Sequence, residues 1–222
     1  MIYKVSKVAR DVRIAIDENK TSEQLITDED IDTLSLEDIV RSKIVEAVRR
    51  VITNAPVHLL DGGVPFGDAV FWRPGSGRQT SKNGDTFSGW ILLPDDFMRL
   101  FIFKMSDWER PVYEPITAAD PQYNLQFSRY KGIRGNPQKP VVAIVSRSEG
   151  RVLELYSCKS KEATVEQAVY FPLPKLDKDG GIDIPQRCYT SVVYEVASLV
   201  LATLGQADLS SIMTELSKQL LV

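Results

Sequence analysis

The chain has one histidine, His58, and two cysteines, Cys158 and Cys188, thirty positions apart. A Ser-His or Cys-His mechanism would have to use His58, which sits in Ala55-Pro-Val-His-Leu-Leu60 with no nucleophile or carboxylate pattern beside it. It reads as a structural histidine. The same scarcity argues against a transition-metal site, because no His pair or Cys pair stands at ligand spacing. Two cysteines so separated do not make a secreted disulfide framework; they read as ordinary half-buried thiols of an intracellular protein. Apolar runs are short as well. The longest, Val192 to Leu204, is interrupted by Glu195 and Ser198 and falls below the ~20 residues that span a bilayer. Charges every few residues from Met1 to Asp11 predict neither a signal peptide nor a membrane anchor.

Glycine-rich phosphate loops are missing too. Gly62-Gly63 and Gly75-Ser-Gly77 lack the Lys-Ser/Thr continuation and the strand-to-helix context that phosphate binding requires, so they read as turns. Asp177-Lys-Asp179-Gly-Gly-Ile-Asp183 has a superficial likeness to a calcium loop, but it lacks the terminal bidentate Glu and reads as a solvated connector. No cofactor, no metal and no catalytic group is expected, and the chain reads as a non-enzyme.

What is present is a soluble composition of 222 residues, 43% hydrophobic and 26% charged, with a formal net charge of −3. The balance gives no general attraction to nucleic acid or to an anionic membrane. The charge is uneven, however. Asp17, Glu18, Glu23, Asp28, Glu29, Asp30, Asp32, Glu37 and Asp38 face only Lys20 in their stretch, whereas Arg129, Lys131, Arg134 and Lys139 form a basic stretch without acids. Such opposed patches suit docking between copies.

Periodicity divides the chain. Val5, Val8, Ala9, Val12 and Ile16 form one helical stripe; Ser35 caps a second helix whose core face is Leu36, Val40, Ile44, Ala47, Val48 and Val51, and Pro56 explains its end. From His58 the pattern becomes strands and turns: Ala69–Trp72, Trp90–Leu93, Arg99–Met105, a hairpin of Val141–Ser146 and Arg151–Cys158, and Val165–Phe171 in the same sheet. A nearly all-apolar central helix runs from about Gln186 to Leu204, with a small and polar stripe of Ser191, Glu195, Ser198 and Ala202. Gly205 ends it, and Asp208 caps a last helix with the face Leu209, Ile212, Met213, Leu216 and Leu220. The predicted fold is α+β in a single domain, residues 1–222. A helical-bundle core from 1–57 and 184–222 carries a strand-rich insertion, 58–183, with long projecting loops.

Two stretches lack the periodicity to pack on their own chain, Arg73 to Asp85 and Arg110 to Pro140, and are predicted to find their contacts on other subunits. The predicted interface residues are Arg73, Arg78, Lys82, Trp108, Tyr123, Phe127, Arg129, Lys131, Arg134 and Lys139. Tyr123, Phe127 and Tyr130 interleave with Arg129, Lys131 and Arg134, which leaves open a cellular scaffold or a nucleic-acid-binding module using the 129–139 loop.

The run Trp90-Ile-Leu-Leu-Pro-Asp-Asp-Phe-Met-Arg-Leu100, then Trp108, Pro121-Gln-Tyr123, Gln126, and Pro140-Val-Val-Ala-Ile144 before Leu153-Glu-Leu-Tyr156, resembles the head-to-tail connector (adaptor) proteins of tailed bacteriophages. It is similar in particular to those of short-tailed and crAss-like phages. The resemblance implies a virion protein assembled in the host cytoplasm: a ring, dodecameric in that family, that docks beneath the portal protein, meets tail or further connector proteins, and continues the DNA channel without reading DNA sequence.

Overall fold

The computed structural model describes residues 1–18, 35–67, 69–73, 87–128, 130 and 132–222. The chain is a mixed α+β protein that divides into two compact units, residues 1–62 with 173–222, and residues 63–172.

The first unit holds a short strand, β1 (Ile2–Lys4), and the helices α1 (Val5–Glu18) and α2 (Leu36–Asn54) from its first segment. Its second segment supplies β10 (Gly181–Asp183), α4 (Tyr189–Thr203) and α5 (Ala207–Gln219). Ser35 starts α2 as expected: its backbone is extended and its Oγ accepts from the Asp38 amide at 3.2 Å. The predicted core positions of α2 are all buried. At its other end Ala55 is extended before Pro56, the conformation a following proline imposes. Helix α4 packs against α1, α2 and α5, which is the central place its apolar composition predicted.

Its polar stripe decides how α5 docks. Ser191 Oγ donates to the Ser217 carbonyl and Ser217 Oγ to the Ser191 carbonyl, both at 2.9 Å, while Ser198 Oγ lies 3.0 Å from Ser210 Oγ and 2.7 Å from Thr214 Oγ1. This hydroxyl seam turns the helix away from the expected packing. Of the predicted apolar face only Met213 is buried; Leu209 and Leu216 are half-buried, and Ile212 and Leu220 stand open. Asp208 is not the cap. Gly205, at φ 77°, reverses the chain so sharply that α5 begins at Ala207 behind Gln206, and Asp208 falls in the first turn, where its charge suits the helix dipole.

The second unit consists of two sheets. One has the order β3 (Phe71–Trp72), β4 (Phe87–Leu92), β8 (Gly150–Cys158), β7 (Val142–Arg147), β6 (Ile116–Thr117); the other is β2 (Val64–Pro65), β9 (Val165–Pro172), β5 (Phe97–Met105). A shared core joins them through Phe66, Ile91, Phe97, Phe103, Leu153 and Tyr170, with Phe66 edge-on to Phe97 and to Tyr170. The β7–β8 hairpin forms as predicted, with Gly150 at φ 127° taking the turn. The expectation that 165–171 joins the same sheet is corrected. Both edges of β8 are already taken, by β4 and by β7, so β9 pairs with β5 and β2 instead.

The 110–140 stretch also differs from expectation: it packs on its own chain. Val112 exchanges both backbone hydrogen bonds with Phe103 at 2.8 Å, β6 runs parallel to β7, and α3 (Pro121–Leu125) follows. Gln126 is buried, its Oε1 accepting from the Gly135 amide at 2.8 Å. Backbone pairing, the buried Val112 and the Gln126 hydrogen bond hold its described part without any apolar period, which is why counting hydrophobic residues missed it. The other predicted excursion, 73–85, lies outside the described residues beyond Arg73. Both cysteines are fully buried rather than half-buried, and burial pushes the Cys188 thiol up to about 11, with Asp61 adding to the rise.

Phe103, without exposure and in contact with Phe66 and Trp108, is the test of the core. Phe103→Ala is expected to destabilise the strand-rich unit by about 3–5 kcal/mol, read from urea unfolding followed by tryptophan fluorescence.

Candidate functional site

Strand β8 reads Val152-Leu-Glu-Leu-Tyr156, and alternation sends Leu153 and Leu155 into the shared core. Glu154 therefore points to the opposite face, yet it is only 1% exposed. A buried carboxylate persists only where donors replace its water. Four side chains do so here. Arg147 donates to Oε1 through Nε at 2.9 Å and through Nη2; Arg73 Nη2 reaches the same oxygen at 3.3 Å. The Tyr123 hydroxyl lies 3.3 Å from Oε2 and the Tyr156 hydroxyl also donates to it.

Register explains the convergence. Glu154 pairs with Trp90 of β4 and Ala143 of β7, and Phe71 of β3 pairs with Trp90, so these side chains share one sheet face. Arg147 lies on the same face four pairs along β7, its guanidinium over the Trp90 ring at 4.2 Å. Phe71 stacks on Trp90 at 6.1 Å. On the far side, α3 and the turn after it bring Tyr123 and Phe127 against Tyr156, with centroids 6.4 and 5.9 Å away, and Arg73 lies over Phe127 at 5.4 Å. Gly89 lets β3 come this close, since a Cβ there would meet the Phe71 carbonyl oxygen at 2.9 Å.

The outer rings are open. Phe71 is 52% and Phe127 48% exposed. Burial first, and then the Glu154 carboxylate, raise the Tyr156 phenol far above its ordinary range, which keeps it a hydrogen-bond donor to Glu154. The arrangement sets fixed guanidiniums and aromatic planes beneath an apolar rim, residue types that are enriched at protein interfaces in general. Among the described residues no group of three or more metal-ligating side chains comes together. The Asp177 carboxylate instead accepts from the amides of Asp179 and Gly181, at 2.9 and 2.5 Å, as a turn lock.

Of the predicted interface residues, Arg73, Tyr123 and Phe127 meet at this face. Lys139 is exposed and Arg134 half-buried in the following loop, outside the network. Trp108 is corrected: at 3% exposure, edge-on to Phe103 at 5.6 Å, it is a core residue. Its place directly after the long β5 put it within reach of the core. Arg78, Lys82, Arg129 and Lys131 lie outside the described residues. Glu154, Arg147, Trp90, Tyr156 and Phe71 were not anticipated. The available signal was a lone acid inside an apolar strand, one hairpin turn from an arginine.

No protein-family model matches the chain, and no curated protein shows significant similarity to it. No helix among the described residues is long and apolar enough to cross a membrane.

Removing the carboxylate leaves two guanidiniums facing one another, partly hydrated. Glu154→Ala is therefore expected to cost about 2–3 kcal/mol, below the 3–5 of a fully buried pair because Arg147 and Arg73 keep some water. The double variant Glu154→Leu with Arg147→Met is expected to recover most of that loss, and a double-mutant cycle by urea titration measures it.

Proposed function

We propose that this protein is a structural virion component: an adaptor-ring subunit that joins the portal to the tail and continues the DNA channel, without enzymatic activity of its own. In this reading the helices that flank the strand-rich unit in sequence form a helical-bundle core. The strand-rich unit presents contacts to neighbouring copies, to the portal and to tail proteins. The observation that carries the proposal is the open aromatic rim over the Arg–Glu network. Phe71 and Phe127 stand about half exposed, yet the groups beneath them are held by hydrogen bonds and ring contacts, as at a surface that a protein partner completes. The sequence order supports it further: α1 and α2 precede the strand-rich unit, α4 and α5 follow it, in the order of the connector proteins the sequence resembles.

The test replaces both rings. Phe71→Ser with Phe127→Ser should leave a folded chain by circular dichroism and weaken ring formation on the portal by at least about tenfold, as the loss of one interface anchor of about 2 kcal/mol already does. Native mass spectrometry of the portal complex reads the result. Rings unchanged in stoichiometry and stability would remove this face from the assembly. Salt-sensitive DNA binding by the isolated chain, lost on reversing Arg134 and Lys139 to Glu, would move the reading to a nucleic-acid-binding module.

A further inference from the structure

The chain passes from the helical unit into the strand-rich unit after Gly62 and returns after Pro172. It enters and leaves the strand-rich unit at neighbouring points, because Val64 of β2 pairs with Tyr170 of β9 and Gly63 lies against Tyr170. Gly62 and Gly63 both have positive φ, 95° and 110°. A Cβ on Gly63 would meet Val169 Cγ1 at 2.6 Å, so this glycine is required where the chain seats on β9. A Cβ on Gly62 would meet nothing within 4 Å, and glycine there supplies backbone freedom alone. On the helical side Asp61 is already anchored, its Oδ1 accepting from the Gln186 amide at 3.2 Å. One exposed residue therefore separates two fixed points. The return crossing is longer. Pro172 is held by its pairing with Phe97, and the next anchor is Asp177, whose amide donates to the Gly181 carbonyl at 2.8 Å. Leu173 precedes Pro174 and is biased to extended backbone, which keeps the start of this linker straight. Among the described residues, neither Gly62 nor Pro174, Lys175 and Leu176 have a hydrogen-bond partner.

We infer that Gly62 is the pivot, and residues 174–176 the yielding return strand, of a hinge at which the strand-rich unit takes up more than one orientation on the helical unit. Hinges are a few such residues, which absorb changes in φ and ψ between elements that stay rigid. Gly62 moves between positive and negative φ at low cost, whereas any residue with a side chain would favour one side. Lys175 and Leu176 follow that turn without breaking a backbone bond. Since the two crossings meet the strand-rich unit side by side, the motion is a bend about one line rather than free tumbling. The aromatic face is thereby presented to a partner at different angles while the packing within each unit is kept.

Spin labels on the full-length chain test it, since Cys158 and Cys188 are both buried. Ser146→Cys in β7 with Ser211→Cys in α5 puts one label on each unit, both at exposed positions. Ser42→Cys with Ser211→Cys, and Ser146→Cys with Gln167→Cys, are controls within one unit, again at exposed positions. Double electron–electron resonance of the isolated chain reads the distance distributions, so the result bears on the hinge and not on assembly. The distribution between units is expected to be at least about twice as wide as either control. Lys175→Pro, at a position whose amide is unbonded, should narrow it and leave the controls unchanged. Gly62→Ala, which disfavours the positive φ, should shift its centre. Circular dichroism of each variant confirms folding, and the width without any linker change decides the matter even where a linker variant does not fold. A distribution between units as narrow as the controls would overturn the hinge. A wide one that neither linker variant alters would overturn Gly62 and 174–176 as its seat.

Discussion

Everything on the outer face of the strand-rich unit follows from one carboxylate. Glu154 sits on the face of β8 opposite the core-facing Leu153 and Leu155 and is nonetheless buried, and a charge there is tolerated only when its hydration is replaced. The replacement comes from four separate places: the end of the neighbouring strand (Arg147), the residue after β3 (Arg73), the short helix α3 (Tyr123) and β8 itself (Tyr156). Two of these donors, Arg73 and Tyr123, lie on segments with little apolar anchorage of their own. The two-residue strand β3 and the 110–140 stretch are thereby fixed relative to the central strands, which hydrophobic burial alone does not achieve for segments this polar.

The helical unit uses hydroxyls where the strand-rich unit uses charge. Between α4 and α5, Ser191, Ser198, Ser210, Thr214 and Ser217 satisfy one another and the backbone at distances of 2.7 to 3.0 Å. Each such bond contributes only about 1 kcal/mol net, less than burying the leucines would. A helix with Leu209, Ile212, Leu216 and Leu220 available nonetheless turns its hydroxyl face inward. The close approach that small residues permit favours this rotation, and Met213 is the one large side chain that enters the core between them. The apolar surface left outside is that of Ile212 and Leu220.

Those two polar devices also mark where reading the sequence succeeds and fails. Helix α2 was legible to its ends because Ser35, Pro56 and the spacing of its apolar residues are all local signals. The β7–β8 hairpin was legible for the same reason, from two alternating runs around Gly150. The partner of β9 was not, because it depends on which edges of β8 remain open, a fact of three dimensions. Arg73, Tyr123 and Phe127 were singled out by their chemistry and do come together, but the residue that gathers them was not singled out. Glu154 lies 27 positions beyond Phe127 and 81 beyond Arg73, and no local pattern joins them. Trp108 shows the opposite error: a lone tryptophan beside a polar stretch has the composition of an interface anchor, and only the packing of Phe103 reveals it as core.

The consequence for recognition is entropic. A partner that meets Phe71 and Phe127 meets rings whose neighbours are already held: Trp90 lies between Phe71 and the Arg147 guanidinium, and Phe127 between Arg73 and Tyr156. Freezing a long, mobile side chain on binding costs about 0.5–1.5 kcal/mol, and the arginines here have incurred that cost in folding through their bonds to Glu154. Lys139, in the loop that follows α3, is exposed and would have to be ordered by its partner. Between a fixed aromatic face and the exposed Lys139, the face is the better source of a stable contact. The loop charges are better suited to steering approach, which is where exposed charges act most strongly.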